Sequence, residues 1–457
     1  MPRRPIRFAP VESVAAEFEA IRQEAGVPDA FPAAVLAEAE AAAHHAASAE
    51  RVDLPFVTID PAGSRDLDQA MHIERLGDGH RVHYAIADVA TFVASGGAVD
   101  RETQARGVTV YAPDRKAPLH PPVLSEGAAS LLPGEWRPAV LWTLDLDATG
   151  ALASTDVRRA VVRSVAQHTY DDVPTELLPL LGEVGERRLA LEQARGGVRL
   201  AVPEQEVTQE GGAWTVHYRV PLPSEDFNAQ VSLLTGIAAA DLMLKAGVGI
   251  LRTQKPPSER GLERLRRQAG ALHVAWPEGM SYPDFVRTLD PAVPAHAAVM
   301  HEAAGVGGGA GYTVFDGAPP EDPGHFAIAA PYAHATAPLR RLQDRFVSEC
   351  CLALHAGEPV PGWVRAGLPE LPAAMAAGDK RARAVERAAV DLVEALVLQG
   401  REGERFDAVV VDDELVQLRD PAVRGRLEGG SPEPGTEIAV RLDRSDPATR
   451  TVTFSAG

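Results

Sequence analysis

The segment at residues 58–70, TIDPAGSRDLDQA, places three carboxylates within nine residues, directly after an apolar strand. Asp60 ends that strand, where its carboxylate can project beyond a sheet. Asp66 and Asp68 are two residues apart, so they face the same side of an extended chain. Pro61 and Gly63 permit a turn that brings both of them back toward Asp60. The segment therefore predicts three carboxylates that converge.

Converging carboxylates repel one another unless a cation joins them. Their hard oxygen ligands suit Mg²⁺, or Mn²⁺ as a substitute, better than zinc. Such a site can activate water for displacement at phosphorus. An acidic surface turn and a calcium loop are the alternatives, although the EF-hand pattern fails because its glycine and terminal glutamate are not at the required places. Spacing alone leaves these alternatives open.

Composition describes a globular chain with no predicted membrane span. It has 457 residues, of which 45% are hydrophobic, and it lacks a run of apolar residues long enough for a transmembrane helix. The N-terminus does not resemble a signal peptide. The adjacent Cys350 and Cys351 are expected to be buried thiols in a reducing compartment. We therefore expect a cytoplasmic monomer that does not bind membranes.

The net charge of −19 has the wrong sign for a nucleic-acid binder. An acidic protein that binds RNA needs a local basic channel within an acidic surface. The charge by itself favours an ordinary acidic enzyme with a small-molecule substrate.

Three regions differ in their patterns. Residues 1–50 are rich in Ala and Glu and predict a small helical unit that is interrupted at Pro28 and Pro32. Residues 403–457 predict several short strands, and therefore a small barrel of the oligonucleotide-binding (OB) type or a plain structural β-unit. Residues 51–402 predict a mixed α/β body. Its predicted strands are residues 56–59, 83–87 and 139–146, and its predicted helices are residues 230–245 and 379–398, the last beginning just after Gly378.

Further segments resemble motifs of the ribonuclease II (RNB) family, in the family's order. Residues 59–70 resemble its I-D-x-x-x-[AS]-[KR]-D-x-D-D-A pattern, and residues 332–341, YAHATAPLRR, resemble its Y-x-H-x-T-S-P-I-R-R motif. The other matching segments are AIADV (85–89), RGVTVYAPDR (106–115), LHPPVLS (119–125) and GHF (324–326). Together they cover roughly residues 51–400.

The resemblance implies an RNB catalytic domain at residues 51–402, preceded by the helical unit and followed by the OB-like barrel. It implies that Asp60, Asp66 and Asp68 are metal ligands and that Asp68 is catalytic. The chain departs from the family at Gln69, which stands in place of a fourth acid and offers only a neutral carbonyl oxygen. Ala337 and Leu342 also replace the usual Ser and Tyr, and Gln230 stands where many members carry Glu.

The same resemblance assigns RNA contacts. Tyr111 matches a tyrosine that packs against the terminal nucleotide, whereas without the resemblance it would be a core residue. Arg340 is expected to stabilise charge on the scissile phosphate, and Arg341 to contact phosphate or form a structural ion pair. His334 is expected to be structural. Arg381, Arg383 and Arg387 either line an RNA channel or form a solvated helix face.

The predicted function is a 3′-to-5′ exoribonuclease that hydrolyses single-stranded RNA to 5′-nucleotides by metal-activated water. A catalytically weak RNA-binding protein that keeps the RNB fold is the first alternative, favoured by Gln69 and the acidic charge. The second is an unrelated metal hydrolase that acts on a small phosphorylated substrate.

Overall fold

The computed structural model describes residues 14–45, 48–200, 204–210, 213–219, 222–291, 293–412, 414–430 and 432–457. Residues 1–13, 46 and 47 of the predicted helical unit at residues 1–50 lie outside these ranges.

The helices alternate with strands through most of the chain. They are α1 (Ala15–Glu24), α2 (Ala33–Ala42), α3 (Ala98–Arg106), α4 (Leu178–Ala194), α5 (Pro223–Ala246), α6 (Glu259–Ala271), α7 (Tyr282–Arg287), α8 (Pro294–Val306), α9 (Leu342–His355), α10 (Gly362–Gly367) and α11 (Leu371–Leu398).

Strands occupy the centre and the C-terminal end. They are β1 (Arg51–Ile59), β2 (Gln69–Leu76), β3 (Gly79–Ala87), β4 (Val110–Tyr111), β5 (Lys116–Ala117), β6 (Trp136–Leu146), β7 (Leu152–His168), β8 (Glu204–Glu210), β9 (Ala213–Arg219), β10 (Val248–Thr253), β11 (Gly311–Asp316), β12 (Gly324–His325), β13 (Ala330–Pro331), β14 (Arg405–Asp412), β15 (Leu415–Leu418), β16 (Arg424–Glu428), β17 (Glu437–Asp446) and β18 (Thr451–Ala456).

A closed barrel of five strands, in the order β1-β2-β3-β6-β7, forms the centre of the body. Its closure depends on a parallel pairing between β1 and β7. Tyr84 on β3 lies opposite Trp142 on β6, and both side chains are fully buried. The sequence predicted parts of these strands but not that they close into a barrel.

Helix α5 lies in the core beside α4 and α9. Among the described residues it is the one helix whose length and composition would allow it to cross a membrane, and half of its most apolar window is buried inside the protein. Val231, Leu234 and Met243 are among its fully buried side chains. This burial is typical of a core helix, as the prediction for residues 230–245 expected.

The C-terminal strands form a second closed barrel, in the order β14-β15-β16-β18-β17. Leu418, Val440 and Phe454 fill its interior. The predicted small C-terminal barrel and the predicted N-terminal helices are both present in the structure. Strand β16 was not predicted, because its sequence RGRLE alternates charged residues with only one large apolar side chain.

Helix α11 begins at Leu371, eight residues before the predicted start after Gly378. Gly378 lies inside the helix and is buried. A Cβ atom at this position would lie 2.9 Å from the carbonyl oxygen of Arg106 and 3.0 Å from the backbone nitrogen of Val108. The glycine therefore allows close approach of the chain that follows α3, and its interpretation as a helix boundary was wrong.

Candidate active site

The carboxylate loop, residues 60–68, connects the carboxyl end of β1 to the start of β2. Gly63 has a φ of +82°, a left-handed conformation that glycine adopts without strain. The Ser130 hydroxyl donates to the carbonyl of Arg65 at 2.6 Å and accepts the Leu67 amide at 3.0 Å. With Leu67 fully buried between them, Asp66 and Asp68 are held in place by the body of the protein.

Asp68 is buried, and it is held by the segment that precedes α9. Its Oδ1 accepts the Leu339 amide at 2.7 Å, and its Oδ2 accepts Nε of Arg340 at 3.2 Å. The carbonyl of Leu339 accepts Nδ1 of the buried His120 at 3.1 Å. Burial lowers the pKa of His120 to about 4, so this histidine stays neutral and acts as a donor that orients the segment.

The two neighbouring arginines have different surroundings. The Arg340 side chain is 43% exposed and lies at the rim of the site. Arg341 forms a fork with the fully buried Asp344, with contacts of 3.0 Å and 2.7 Å. This geometry favours the structural alternative for Arg341, although its guanidinium also lines the cavity. The predicted RNA contacts of both arginines remain predictions.

The hairpin formed by β4 and β5 brings two further groups to the loop. Tyr111 is half-exposed, and its hydroxyl donates to Oδ2 of Asp66 at 3.1 Å. Lys116 places Nζ 2.6 Å from Oδ1 of Asp66 and 2.9 Å from Oε1 of Glu126. Tyr111 is therefore not a core residue, and its ring is accessible for the predicted stacking on a base.

The three carboxylates, Tyr111 and both arginines line one cavity of about 660 Å³. The first part of α5 also lines the cavity, with the polar residues Glu225, Asp226, Asn228 and Ser232. Tyr170 and Tyr332 also line it. Sequence reasoning missed these residues and Lys116. The one available signal was the spacing of Asn228 and Ser232, four residues apart, which places two polar side chains on one face of an otherwise apolar helix.

A bound cation would stabilise the ionised forms of two of the carboxyl groups, those of Asp60 and Asp68. Burial, opposed by Arg340 and reinforced by Asp66, raises the pKa of Asp60 to about 7. Burial, opposed by Arg340 and the Leu339 amide, raises the pKa of Asp68 to about 7. Oδ2 of Asp60 is buried and has no hydrogen-bond partner within the described part of the chain. A cation would stabilise the ionised form of both groups.

These features fit a hard divalent cation beside Asp60 and Asp68. Within the described ranges, however, no three His, Cys, Asp or Glu side chains already stand in the geometry of a complete ligand set. Asp66 in particular is engaged by Lys116 and Tyr111. Gln69 lines the same cavity, and its amide nitrogen donates to the carbonyl of Thr336.

For two of the remaining candidate residues, His334 and Arg381, the contacts favour a structural role. Nδ1 of His334 and the hydroxyl of Tyr312 share a hydrogen bond of 2.9 Å, and burial holds the pKa of His334 well below the usual range. Arg381 donates to the carbonyls of Ala105 and Arg106 at the end of α3, which favours a structural role over an RNA channel. Arg383 and Arg387 lie on exposed positions of α11.

Comparison with known families matches two parts of this chain. The RNB domain matches residues 50–354, and the RNase II-type exonuclease C-terminal S1 domain matches residues 404–457. The chain belongs to the RNB family. The division at residues 50 and 402 was predicted from sequence patterns and remains a prediction.

Among curated proteins, the chain is similar to two ribonucleases R. That of Aquifex aeolicus is 28% identical over 447 residues, which cover 90% of this chain and 62% of the relative. That of Escherichia coli is 29% identical over 315 residues, which cover 64% of this chain and 38% of the relative. The matched region is thus less than two-thirds of either relative.

Solved structures show the same fold at low sequence identity. Mycoplasma genitalium RNase R in complex with ribose methylated single-stranded RNA has a TM-score of 0.86 and 18% identity, over 96% of this chain and 78% of that chain. Yeast Ssd1, a pseudonuclease, has a TM-score of 0.67 and 15% identity, over 91% of this chain and 53% of that chain. The fold is therefore shared by an RNase and by a pseudonuclease.

Proposed function

We propose that the protein is a 3′-to-5′ exoribonuclease that hydrolyses single-stranded RNA to 5′-nucleotides with Mg²⁺ as its cofactor. One observation carries the proposal: the buried Asp68 and the partly exposed Arg340 meet at 3.2 Å in a cavity that also contains Asp60 and the accessible ring of Tyr111. The ribonuclease R relatives support the same activity. We further propose that the protein is cytoplasmic and acts as a monomer.

In the proposed reaction, the oxygen of water forms a bond to the phosphorus of the terminal phosphodiester. The bond from that phosphorus to the 3′ oxygen of the preceding nucleotide breaks, and the released oxygen takes up one proton of the water. The products are a 5′-nucleotide and an RNA shortened by one residue. A divalent cation, when bound, would lower the pKa of water and stabilise negative charge on the phosphate.

The side chains around the cavity have separate tasks. Asp60 and Asp68 would hold the cation, and Arg340 would turn from Asp68 to the phosphate, where its planar guanidinium suits two oxygens. Tyr111 would stack on the terminal base, a contact that any base can make. His120 keeps the Leu339 amide directed at Asp68 and so acts as a positioning residue.

A catalytically weak RNA-binding protein is the second candidate. The neutral Gln69 and the ion pairs already present on Asp66 and Asp68 favour it, and a pseudonuclease shares the fold. The deciding experiment follows a single-stranded RNA labelled at its 5′ end, with and without Mg²⁺. An exonuclease acting from the 3′ end produces a ladder of shortening labelled RNAs, whereas a pseudonuclease binds the RNA and leaves it intact.

A further inference from the structure

Lys116 holds Asp66 in a way that leaves little room for a second cation. Its ammonium lies between Oδ1 of Asp66 and Oε1 of Glu126, and only 22% of its side chain is exposed. The hydroxyl of Tyr111, from the same hairpin, donates to the other oxygen of Asp66. Both oxygens of Asp66 are therefore engaged by donors that the hairpin supplies.

The other side of the carboxylate loop is different. Oδ2 of Asp60 is buried and lacks a partner among the described residues. Oδ2 of Asp68 contacts Arg340, whose side chain is 43% exposed and free to turn toward solvent or phosphate. The position that can accept a cation without displacing a buried ion pair thus lies at Asp60 and Asp68.

We propose that the chain binds one divalent cation, at Asp60 and Asp68, and that the Lys116 ammonium takes the place at Asp66 that a second cation would hold. This inference rests on the proposed metal-dependent function of the same site. Two-metal sites place two centres of positive charge about 4 Å apart, on the attacking and the leaving oxygen. An ammonium is a compact point charge that can supply one of these centres. The neutral Gln69 is consistent with a site that holds fewer cations.

The test counts Mn²⁺ ions on the full-length protein without RNA, by calorimetric titration and by electron paramagnetic resonance. The wild type is expected to bind one Mn²⁺ and to show the spectrum of an isolated ion. Lys116→Gln frees Asp66 and Glu126, so it is expected to bind two ions and to show the spectrum of a coupled pair. Lys116→Arg keeps the charge and is expected to bind one.

Arg115→Gln is the matched control. It removes a positive charge from the same hairpin, but Arg115 pairs with Glu19 and Asp29 instead of the cavity carboxylates. It is expected to bind one Mn²⁺. Thermal unfolding and circular dichroism establish that each variant is folded. Two ions on the wild type overturn the inference, and so does a folded Lys116→Gln variant that still binds one.

Turnover of RNA provides a separate measurement. Lys116→Gln is expected to lose about 10- to 100-fold in rate at low metal concentration and to recover as Mn²⁺ is raised, because the second ion restores the missing charge. A loss that added Mn²⁺ does not restore assigns Lys116 to the fold alone and overturns the inference. The expected ion counts without any RNA cleavage would refute the proposed nuclease and leave the metal inference standing.

Discussion

Asp68 accepts a structural hydrogen bond from the Leu339 amide and has a proposed chemical role, and one substitution separates the two. Asp68→Asn keeps an oxygen that can accept the Leu339 amide but removes the negative charge. We expect the rate of RNA hydrolysis to fall by at least about 100-fold, since a cation loses an anionic ligand. The affinity for RNA is expected to stay close to that of the wild type, because it arises from contacts along the strand.

Asp53→Asn is a suitable control for this variant. Asp53 is an exposed carboxylate that pairs with Arg163, away from the cavity. Hydrolysis is measured on labelled RNA, and affinity by fluorescence anisotropy in the presence of EDTA. If Asp68→Asn loses binding and hydrolysis together while Asp53→Asn loses neither, Asp68 supports the fold or the RNA path instead of the chemistry.

The buried carboxylate of Asp60 is expected to lower the stability of the metal-free protein at neutral and higher pH. Its pKa is raised from 3.8 to about 7, so the folded protein prefers the protonated form. The stability that this preference contributes is fully present below pH 3.8 and is lost as the pH rises through about 7. Above that value the metal-free protein retains a buried, partly unpartnered carboxylate, which Asp60→Asn removes.

Without metal, Asp60→Asn is therefore expected to be more stable than the wild type by roughly 1–3 kcal/mol at about pH 8, with a smaller advantage at about pH 5. The measurement is thermal unfolding in EDTA at both pH values. Added Mg²⁺ is expected to raise the melting temperature of the wild type more than that of the variant. A variant less stable than the wild type at both pH values would mean that the interactions of the Asp60 carboxylate stabilise the folded protein by more than its desolvation destabilises it.

Cavity residues that lie close together in the sequence could be predicted. Cavity residues whose partners lie far away in the sequence could not. The turn at Gly63 and the spacing of the acids indicated that Asp60, Asp66 and Asp68 converge. Lys116 was missed because its partner Asp66 lies 50 positions away. Two residues so far apart in the sequence leave no periodic pattern that would reveal their contact. A single lysine after a turn is also typical of ordinary solvent-exposed positions.

At the level of elements, the N-terminal helices anchor the hairpin that carries Tyr111. Arg22 on α1 is 3% exposed and contacts Asp114, at the turn of the hairpin, at 2.6 Å. Arg115, the next residue, pairs with Glu19 on the same helix. Helix α1 therefore restrains the turn from outside, while Asp66 restrains its strands from within the cavity.

Asp114→Ala is expected to loosen the hairpin without unfolding the protein, at a cost of about 1–2 kcal/mol, since Arg22 retains Glu19. Faster hydrogen exchange is expected across residues 109–118. If Tyr111 holds the last nucleotides, the digestion should end at longer products while the initial rate on long RNA changes little.

Glu24→Gln serves as the comparison for this variant, because it breaks an exposed ion pair of the same helix with Arg450 and does not touch the hairpin. It is expected to leave both exchange and product length unchanged. Unaltered exchange in Asp114→Ala would show that the remaining ion pairs, of Arg115 with Glu19 and Asp29 and of Lys116 with Asp66 and Glu126, are sufficient to hold the hairpin.

Elements with a strong local pattern were predicted, whereas their closure into barrels required contacts between distant segments. Strand β1 pairs with β7 in parallel, across about a hundred residues, and hydrophobic alternation does not encode that partner. Gly378 illustrates the opposite error, because a glycine that permits close packing was interpreted as the start of a helix. Local patterns thus identify elements better than their ends or their neighbours.

At the scale of the whole molecule, the N-terminal and C-terminal units contact each other. Arg450, in the turn between β17 and β18, makes a two-pronged ion pair with Glu24 on α1, at 2.7 and 2.8 Å. Helix α11 also packs against α1 and against β18. Within the described parts of the chain, α1, α11 and the C-terminal barrel are therefore in direct contact.

The net charge of −19 predicts how the affinity for RNA depends on salt concentration. A basic protein that neutralises six to ten phosphates releases many counterions, so its affinity falls steeply as salt rises. Among the described residues that line the cavity, the cations are Arg340, whose side chain is partly exposed, and Arg341, which is paired with Asp344; the nearby Lys116 is paired with Asp66. The acidic surface also repels RNA at long range, and salt screens that repulsion. We expect the logarithm of the affinity to fall with the logarithm of salt concentration with a slope of only about −1 to −3.

The measurement is fluorescence anisotropy of a single-stranded RNA bound to Asp68→Asn, between about 50 and 300 mM salt. Adding Arg340→Gln should make the slope shallower by about one, whereas adding Arg383→Gln, on the exposed face of α11, should not. A slope of about −6 or steeper would reveal a basic RNA path that the cavity residues do not account for.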